Sequence, residues 1–201
     1  AAGFSLSSFL SLQFSFILFL ILINNLIYFK WTKNIVFLDI ISISMNFVIR
    51  VISGIILLDV LLSPWLIGGV FLVALFLGFM KRKSEIITLG NSAGSHRKVL
   101  NQYTKTSLNV SVFISAMMVL AIFTIYSVIG PFHDGRLILT VPFIAFIILR
   151  QLYLSKINHI LIQKNEFYKD RLTAIAIISY SIFTLILLYT DFYSNFILTN
   201  L

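Results

Sequence analysis

Long apolar stretches separated by short polar connections run through the whole chain. A helix that crosses the hydrocarbon core of a bilayer needs about 20 mostly apolar residues, within a range of roughly 17–25. Six stretches meet this requirement: Phe4–Ile27, Ile35–Leu58, Pro64–Met80, Leu108–Ile129, Leu137–Leu154 and Leu172–Tyr189. Because a chain in lipid must satisfy its own backbone polar groups, each stretch is predicted to be a helix. The pattern predicts an all-α integral membrane protein with six transmembrane helices, forming a single membrane domain over residues 1–201.

The composition supports lipid as the solvent of this chain. Hydrophobic residues make up 59% of the 201 residues and charged residues only 11%, whereas a soluble domain is about 45–50% apolar and about 25% charged. A soluble domain of this size cannot cover so much apolar surface. The chain has no cysteine, which excludes disulfides, cysteine metal ligands and a thiol nucleophile.

Lys and Arg residues favour one side of the membrane. Twelve of the fifteen lie in the first–second, third–fourth and fifth–sixth connections, and the opposite side offers only Arg136. The positive-inside rule therefore predicts a multi-pass protein of the cytoplasmic membrane with these connections in the cytoplasm. The net charge of +8 is then explained by the connections, and no nucleic-acid partner is predicted. Both ends of the chain are expected outside. Residue 1 is Ala and no basic signal-peptide segment precedes the first span, so we expect an odd number of helices upstream.

The connection Lys81–Thr106 concentrates the polar chemistry. It holds five Lys or Arg residues before Lys105, together with Glu85, His96 and Tyr103. Such a cluster at a membrane surface binds anionic head groups, polyphosphates or nucleic acid, or it is simply a solvated positive-inside loop. Charge alone leaves these possibilities open. Arg82 and Glu85 have i,i+3 spacing, which predicts an ion pair at the end of a helix.

Arg50 lies well inside the second predicted span. An ionisable group there costs at least ~2.5–3.5 kcal/mol on insertion scales, so Arg50 needs a partner. Asp39 precedes it by eleven residues, about three helical turns, which places both on one side of the helix. We expect Asp39 and Arg50 to line a polar cavity, and the alternative is a structural ion pair. Further polar groups in the first two spans are Asn24, Asn25, Ser42 and Asn46.

Other familiar site patterns are not found in the sequence. The three histidines are far apart and lack metal-ligand spacing, so no zinc site is predicted. The segment GNSAG lacks the Walker pattern of a phosphate-binding loop. Gly68, Gly69 and Gly78 in the third span are predicted to permit close helix packing.

Two ordered motifs run through the polar ends of the spans. The first contains Tyr28, Lys33 and Asp39 and continues into Phe47-Val-Ile-Arg50-Val-Ile-Ser-Gly54; the second contains Lys81, Arg82, Glu85, Arg97, Leu100 and Tyr103. They resemble motifs of the UbiA superfamily of membrane prenyltransferases, and most closely its decaprenyl-phosphate phosphoribosyltransferase branch. Weaker similarities lie at Arg150 with Tyr153 and along Phe167–Arg171. Two departures are Asn46, where the branch often has Gly, and the absence of the family's Asp-rich motif, N-D-x-x-D-x-x-x-D, from these residues.

The resemblance implies a nine-helix bundle of which the six spans are helices four to nine, so that the chain is an N-terminally truncated bundle and inactive alone. It implies transfer of phosphoribosyl from phosphoribosyl pyrophosphate to a polyprenyl phosphate, with Mg²⁺, at the cytoplasmic mouth of the bundle. The implied catalytic residues are Lys33, Asp39 and Glu85, with Asp39 and Glu85 also as Mg²⁺ ligands. The implied substrate-binding residues are Tyr28, Arg50, Lys81, Arg82, Arg97 and Tyr103.

Two alternatives remain open at this point. Within the same superfamily, the chain would move a prenyl group from its diphosphate to an aromatic or glycerol-phosphate acceptor. That activity is expected to use aspartates in the third–fourth connection, where this chain has Lys81–Glu85. In a different class, the chain would be a transporter, for which broken helices and internal repeats are expected, or a non-catalytic membrane subunit.

Overall fold

The computed structural model describes residues 12–90, 97–130, 135–157 and 170–199. Within these ranges the chain forms α-helices and short 3-10 helices and no strand. The α-helices are α1 (Leu12–Lys30), α2 (Leu38–Leu57), α3 (Pro64–Leu89), α4 (Lys105–Ile129), α5 (Val141–Ile157) and α6 (Arg171–Thr199). The 3-10 helices are Thr32–Asn34, Lys98–Gln102 and Arg136–Thr140.

Five of the described helices are long and apolar enough to cross a membrane. They correspond to the second to sixth predicted spans, and the prediction of an all-helical, multi-pass membrane protein is confirmed at this level. The helix α1 coincides with the later part of the first predicted span, whose residues 4–11 lie outside the described residues. The count of six spans therefore stays a prediction.

Contacts divide the chain into two compact units, Ala1–Ser115 and Ala116–Leu201. In the first unit, α2 packs against α1 on one side and α3 on another. In the second unit, α5 packs against α6, and the 3-10 helix Arg136–Thr140 contacts both. Helix α4 begins in the first unit and ends in the second. The single-domain organisation predicted from the sequence stays a prediction.

Helix α3 is nine residues longer than its predicted span, which ended at Met80. Pro64 begins the helix, where its missing N–H costs no hydrogen bond, and Gly90 follows its last residue with φ +51°. The sequence predicted a connection that begins at Lys81. This prediction is wrong for residues 81–89, because they continue the helix. Lys, Arg and Glu are good helix formers, and the ion pair between Arg82 and Glu85 supports the additional turns.

Helices α2 and α3 approach each other closely at Gly78. A Cβ added there would lie 2.5 Å from Cγ2 of Ile40, which is buried on α2. The predicted packing role of Gly78 is therefore confirmed. Gly69 is different, because a Cβ added at that position meets nothing within 4 Å. The close contact next to Ile40 brings the first turn of α2 against the polar end of α3.

Candidate functional site

Four polar side chains form a buried cluster where α2 begins and α3 ends, which we call the Arg82 cluster: Asp39, Arg82, Glu85 and Tyr103. Arg82 Nε donates to Asp39 Oδ2 at 2.7 Å, and Arg82 Nη1 donates to Glu85 Oε2 at 2.7 Å. The hydroxyl of Tyr103 donates to the other Asp39 oxygen, Oδ1, at 2.7 Å. Asp39 is 0% exposed and Arg82 is 2% exposed. The predicted ion pair between Arg82 and Glu85 is confirmed, and the partner of Asp39 is Arg82.

The backbone immediately before α2 is shaped by this cluster. Phe37 has φ +66° and ψ −39°, a strained conformation for a bulky residue. Its N–H donates to the Tyr103 hydroxyl oxygen at 2.8 Å. Its ring makes edge-to-face contacts with Phe79 and Tyr103, with centroids 5.8 and 5.7 Å away. Contacts of this kind are favourable, so they offset the backbone strain and fix the direction in which α2 starts.

Tyr103 connects the cluster to the segment that precedes α4. Its hydroxyl accepts from Phe37 and donates to Asp39, and the residue is 6% exposed. Burial raises the pKa of Tyr103, and the hydrogen bond to the Asp39 carboxylate raises it further. Tyr103 is therefore a neutral hydrogen-bond donor at physiological pH, and it keeps one oxygen of Asp39 occupied.

The polar segments on either side of this cluster meet at one end of the first unit. The 3-10 helices Thr32–Asn34 and Lys98–Gln102 contact each other. Arg97 Nη1 donates to the hydroxyl of Tyr28, near the end of α1, at 2.7 Å. Lys33 Nζ lies 3.8 Å from the centroid of the Phe29 ring, within cation–π distance. Tyr28, Lys33 and Arg97 are thus brought to the same end of the unit as the Arg82 cluster.

Exposure separates the predicted site residues into two groups. Lys81 and Arg97 are exposed, and Lys33 and Glu85 are partly exposed. Asp39 and Arg82 are buried and bonded to each other. The exposed cations are available to an anionic ligand, whereas the buried pair holds α2 and α3 in register. Eight of the nine predicted residues thus lie at the same end of the first unit, and Arg50 is the exception.

Asp39 does not fit the predicted role of a Mg²⁺ ligand in this arrangement. Both of its oxygens are bonded, to Arg82 and to Tyr103, and the side chain is fully buried. Glu85 is more accessible, with 15% of its side chain exposed, but one of its oxygens is bonded to Arg82. Within the described residues no group of three or more His, Asp or Glu side chains is placed to hold a metal.

The expectation that Asp39 and Arg50 line one cavity is not met. Arg50 is exposed, and its guanidinium carbon lies 5.7 Å from the centroid of the Phe47 ring. The eleven-residue spacing does place the two on one side of α2. However, Arg82 and Tyr103 bond to Asp39 in the first turn of α2, so Asp39 is enclosed, whereas Arg50 is exposed.

The polar residues predicted in the first two spans connect α1 to α2. Asn24 Nδ2 donates to the backbone oxygen of Ser42 at 3.0 Å, and Asn46 Nδ2 donates to Asn25 Oδ1 at 2.8 Å. The hydroxyl of Ser42 in turn donates to Thr32 at 3.0 Å. Each of these bonds satisfies a polar group that lipid cannot solvate. They orient α1 against the helix that carries Asp39.

A second polar cluster, in the second unit, was not predicted as such. Arg150 Nε and Nη2 donate to Asp170 Oδ2 and Oδ1 at 3.0 and 2.8 Å, a bidentate pair. Asp170 precedes α6 and accepts from the Thr173 N–H and hydroxyl at 3.0 and 2.7 Å, as a helix N-cap does. The hydrogen bond from Arg150 holds the pKa of Asp170 well below its usual range, and the bonds from Thr173 act in the same direction. Gln151 Nε2 donates to the Thr173 hydroxyl at 3.2 Å.

The sequence did contain a signal for this second cluster. Arg150 is an ionisable residue inside the fifth predicted span, which requires a partner for the same reason as Arg50. An Asp followed three residues later by Thr, at the start of an apolar run, is a helix N-terminus pattern. The histidines His96, His133 and His159 and the residues 91–94 of the GNSAG segment lie outside the described residues.

Comparison with known proteins finds no match for this chain, either among protein-family models or among curated proteins.

Proposed function

We propose that this chain is the six-helix part of a UbiA-type membrane transferase that moves phosphoribosyl from phosphoribosyl pyrophosphate to a polyprenyl phosphate. The proposal includes six spans that correspond to helices four to nine of such a bundle. It also places the basic connections in the cytoplasm.

One observation carries this proposal. Residues of the two motifs are far apart in the sequence but bonded to each other in the first unit: Tyr28 to Arg97, and Asp39 to Arg82 and Tyr103. A solvated positive-inside loop needs no such contacts. The bonds bring exposed cations together beside strongly apolar helices, an arrangement suited to a ligand with a polyanionic head and a hydrocarbon tail.

The proposed roles follow from exposure. Lys33, Lys81 and Arg97 bind substrate phosphates, and Arg97 has the planar guanidinium that suits bidentate phosphate contacts. Asp39, Arg82 and Tyr103 position the elements that carry these cations. Glu85, at the edge of the cluster, faces both Arg82 and the more accessible surface. Arg50 lies outside this proposed substrate site.

The proposed reaction is a substitution at the anomeric carbon of the ribose. An oxygen of the lipid phosphate forms a bond to that carbon while the bond from carbon to pyrophosphate breaks, and the electron pair leaves with pyrophosphate. Charge develops on the departing pyrophosphate. The exposed cations stabilise this charge because they are already in place when it develops. No step is assigned to Mg²⁺, since Asp39 does not fit its predicted role as a ligand.

The test is transfer of label to lipid by membranes that contain the full-length gene product. With polyprenyl phosphate, labelled phosphoribosyl pyrophosphate and Mg²⁺, we expect label in the lipid fraction. Lys81→Gln and Arg97→Gln should each raise the KM for phosphoribosyl pyrophosphate about ten-fold, since a hydrogen bond to a charged group contributes about 1.5–3 kcal/mol. Lys105→Gln is the matched control, because Lys105 is exposed at the start of α4 and has no proposed contact.

Two results would contradict the substrate assignment. The first is an unlabelled lipid fraction from membranes in which the protein is present and folded. The second is transfer from a prenyl diphosphate to an aromatic acceptor in a parallel assay, which would favour the other activity of the superfamily. Equal KM values for the Lys81, Arg97 and Lys105 variants would remove the proposed phosphate-binding role of the first two.

A further inference from the structure

A polar surface lies on α2 within its apolar span. It consists of Asn46 and Arg50, together with Asn25 of the neighbouring α1, which is bonded to Asn46, and we call it the Arg50 face. Arg50 is twelve residues beyond Leu38, the first residue of α2, so it lies about 18 Å along the helix axis at ~1.5 Å per residue. The hydrocarbon core is about 30 Å thick. Arg50 is therefore near the middle of the membrane if α2 spans it.

The polar groups of the Arg50 face are incompletely paired. Among the described residues no carboxylate forms an ion pair with Arg50, whose guanidinium lies over the Phe47 ring. Asn46 donates to Asn25, but Asn46 Oδ1 is buried and has no hydrogen-bond partner among the described residues. A charge that faces hydrocarbon is costly, so a polar group of another molecule or segment is needed to cover Arg50.

By sequence position, the acidic residues of this chain lie away from the middle of the predicted spans. None of the seven lies in the middle of a span: Asp39, Asp59, Glu85, Asp134, Glu166, Asp170 and Asp191. A second copy of residues 1–201 therefore brings no carboxylate to the depth of Arg50. Lipid head groups lie at the interface, roughly 15 Å from the middle of the core.

We propose that the Arg50 face binds a membrane-spanning helix of a partner that carries Asp or Glu at mid-depth. The carboxylate accepts hydrogen bonds from the Arg50 guanidinium. Gly54, one turn beyond Arg50, has open space around it, since an added Cβ meets nothing within 4 Å. A small residue at this position lets a partner backbone approach closely. This inference is independent of the proposed enzymatic activity.

Cross-linking to a designed helix tests the proposal. The chain has no cysteine, so Gly54→Cys gives a single thiol on the Arg50 face. Gly69→Cys on α3 is the matched control, because an added Cβ there also meets nothing within 4 Å. The chain is reconstituted in phosphatidylcholine vesicles with a Leu/Ala transmembrane peptide that carries one central Asp and a neighbouring Cys. A second peptide has Leu in place of Asp.

We expect the Asp peptide to form disulfides with the Gly54→Cys variant in roughly five-fold or higher yield than the Leu peptide, because polar contacts between helices stabilise helix pairs in model peptides. The yield with the Gly69→Cys variant should be low and equal for both peptides. Arg50→Gln in the Gly54→Cys background should remove the preference, and Arg50→Lys should retain most of it. If Arg50→Lys retains the preference for the Asp peptide, its loss in Arg50→Gln is due to the missing charge and not to a general folding defect.

Several outcomes would overturn the proposal. Equal yields for the Asp and Leu peptides, or an unchanged preference in Arg50→Gln, would show that the carboxylate is not recognised. Efficient disulfides between two chains of the Gly54→Cys variant would show that a second copy occupies this surface. Loss of the preference in vesicles that contain phosphatidylglycerol would show that an anionic lipid occupies it instead.

Discussion

At the scale of the residue, Asp39 connects three segments that are distant in sequence. It lies in the first turn of α2, and its carboxylate binds Arg82 of α3 and Tyr103 before α4. In a buried ion pair the desolvation cost and the attraction nearly cancel, but removal of one partner leaves the other charge without compensation. The energetic consequence of a substitution therefore depends on which charges remain.

For Asp39→Asn we expect a loss of about 1.5–3 kcal/mol in the free energy of unfolding, because the buried Arg82 loses a hydrogen bond to a charged group but keeps its ion pair with Glu85. Asp59→Asn is the control, since Asp59 is exposed in the connection between α2 and α3. The measurement is thermal unfolding in detergent, followed by the fluorescence of Trp31 and Trp65. The double variant Asp39→Leu with Arg82→Met should recover only part of the loss, because it removes the buried pair but leaves Glu85 without its partner. Equal unfolding temperatures for the Asp39 and Asp59 variants would contradict the buried pair.

The hydrogen bonds that Asp170 accepts predict that the stability of the chain decreases at low pH. Its folded-state pKa is lowered by Arg150 and Thr173, so the ionised carboxylate stabilises the folded chain above the ordinary carboxyl range of about pH 4. This contribution is lost as the pH falls below that range, because the unfolded chain then binds more protons. The unfolding temperature of the wild type should exceed that of Asp170→Asn at about pH 7, and the difference should shrink towards about pH 3. If the difference in unfolding temperature stayed constant over this pH range, the lowered pKa of Asp170 would be contradicted.

At the scale of the element, the approach of α2 to α3 at Gly78 sets the position of Arg82. Arg82 lies one helical turn beyond Gly78, and Asp39 is adjacent to Ile40, which meets Gly78. A bulkier residue at position 78 therefore acts on the ion pair through the separation of the two helices. The extension of α3 past Met80 also determines the position of Arg82, since it places this residue on a rigid helix.

Gly78→Ala is expected to destabilise the chain by about 1–3 kcal/mol, the usual range for an overpacked contact. The added Cβ would lie 2.5 Å from Ile40 Cγ2, and a β-branched residue in a helix has little rotamer freedom with which to move aside. Gly69→Ala should be tolerated, because nothing lies within 4 Å of its added Cβ. Unfolding in detergent compares the two, and Ile40→Ala should partly rescue Gly78→Ala. Equal effects at positions 69 and 78 would exclude the close packing.

At the scale of the whole molecule, the predicted sidedness follows from the basic connections. Because the chain has no cysteine, single introduced cysteines report the side on which each connection lies. In sealed inside-out vesicles, an impermeant maleimide should label a cysteine introduced at position 32 or 101 and leave one at position 59 or 135 unlabelled. Right-side-out vesicles should give the opposite pattern. Labelling of positions 32 and 59 from the same side would contradict a spanning α2.

The helical class and the approximate spans of this protein were predictable because they depend on local properties. The length of each apolar run is set by the thickness of the bilayer, and a helix is the local solution to backbone hydrogen bonding in lipid. The end of α3 was predicted too early, since Lys81–Glu85 reads as a polar connection. Its helical state depends partly on the bond from Arg82 to Asp39, which lies 43 residues away in sequence.

The sequence by itself determined that the chain is helical and membrane-embedded, and that its candidate chemistry lies in the basic segments between spans. Only the tertiary structure decided which charges pair. The spacing along α2 associated Asp39 with Arg50, but the contact of Gly78 with Ile40 brings Arg82 to Asp39 instead. Arg50 is left exposed, while Arg150 finds Asp170 at the start of the next helix. Pairing depends on how closely two helices approach and in which register, and neither is encoded in the period of a single helix.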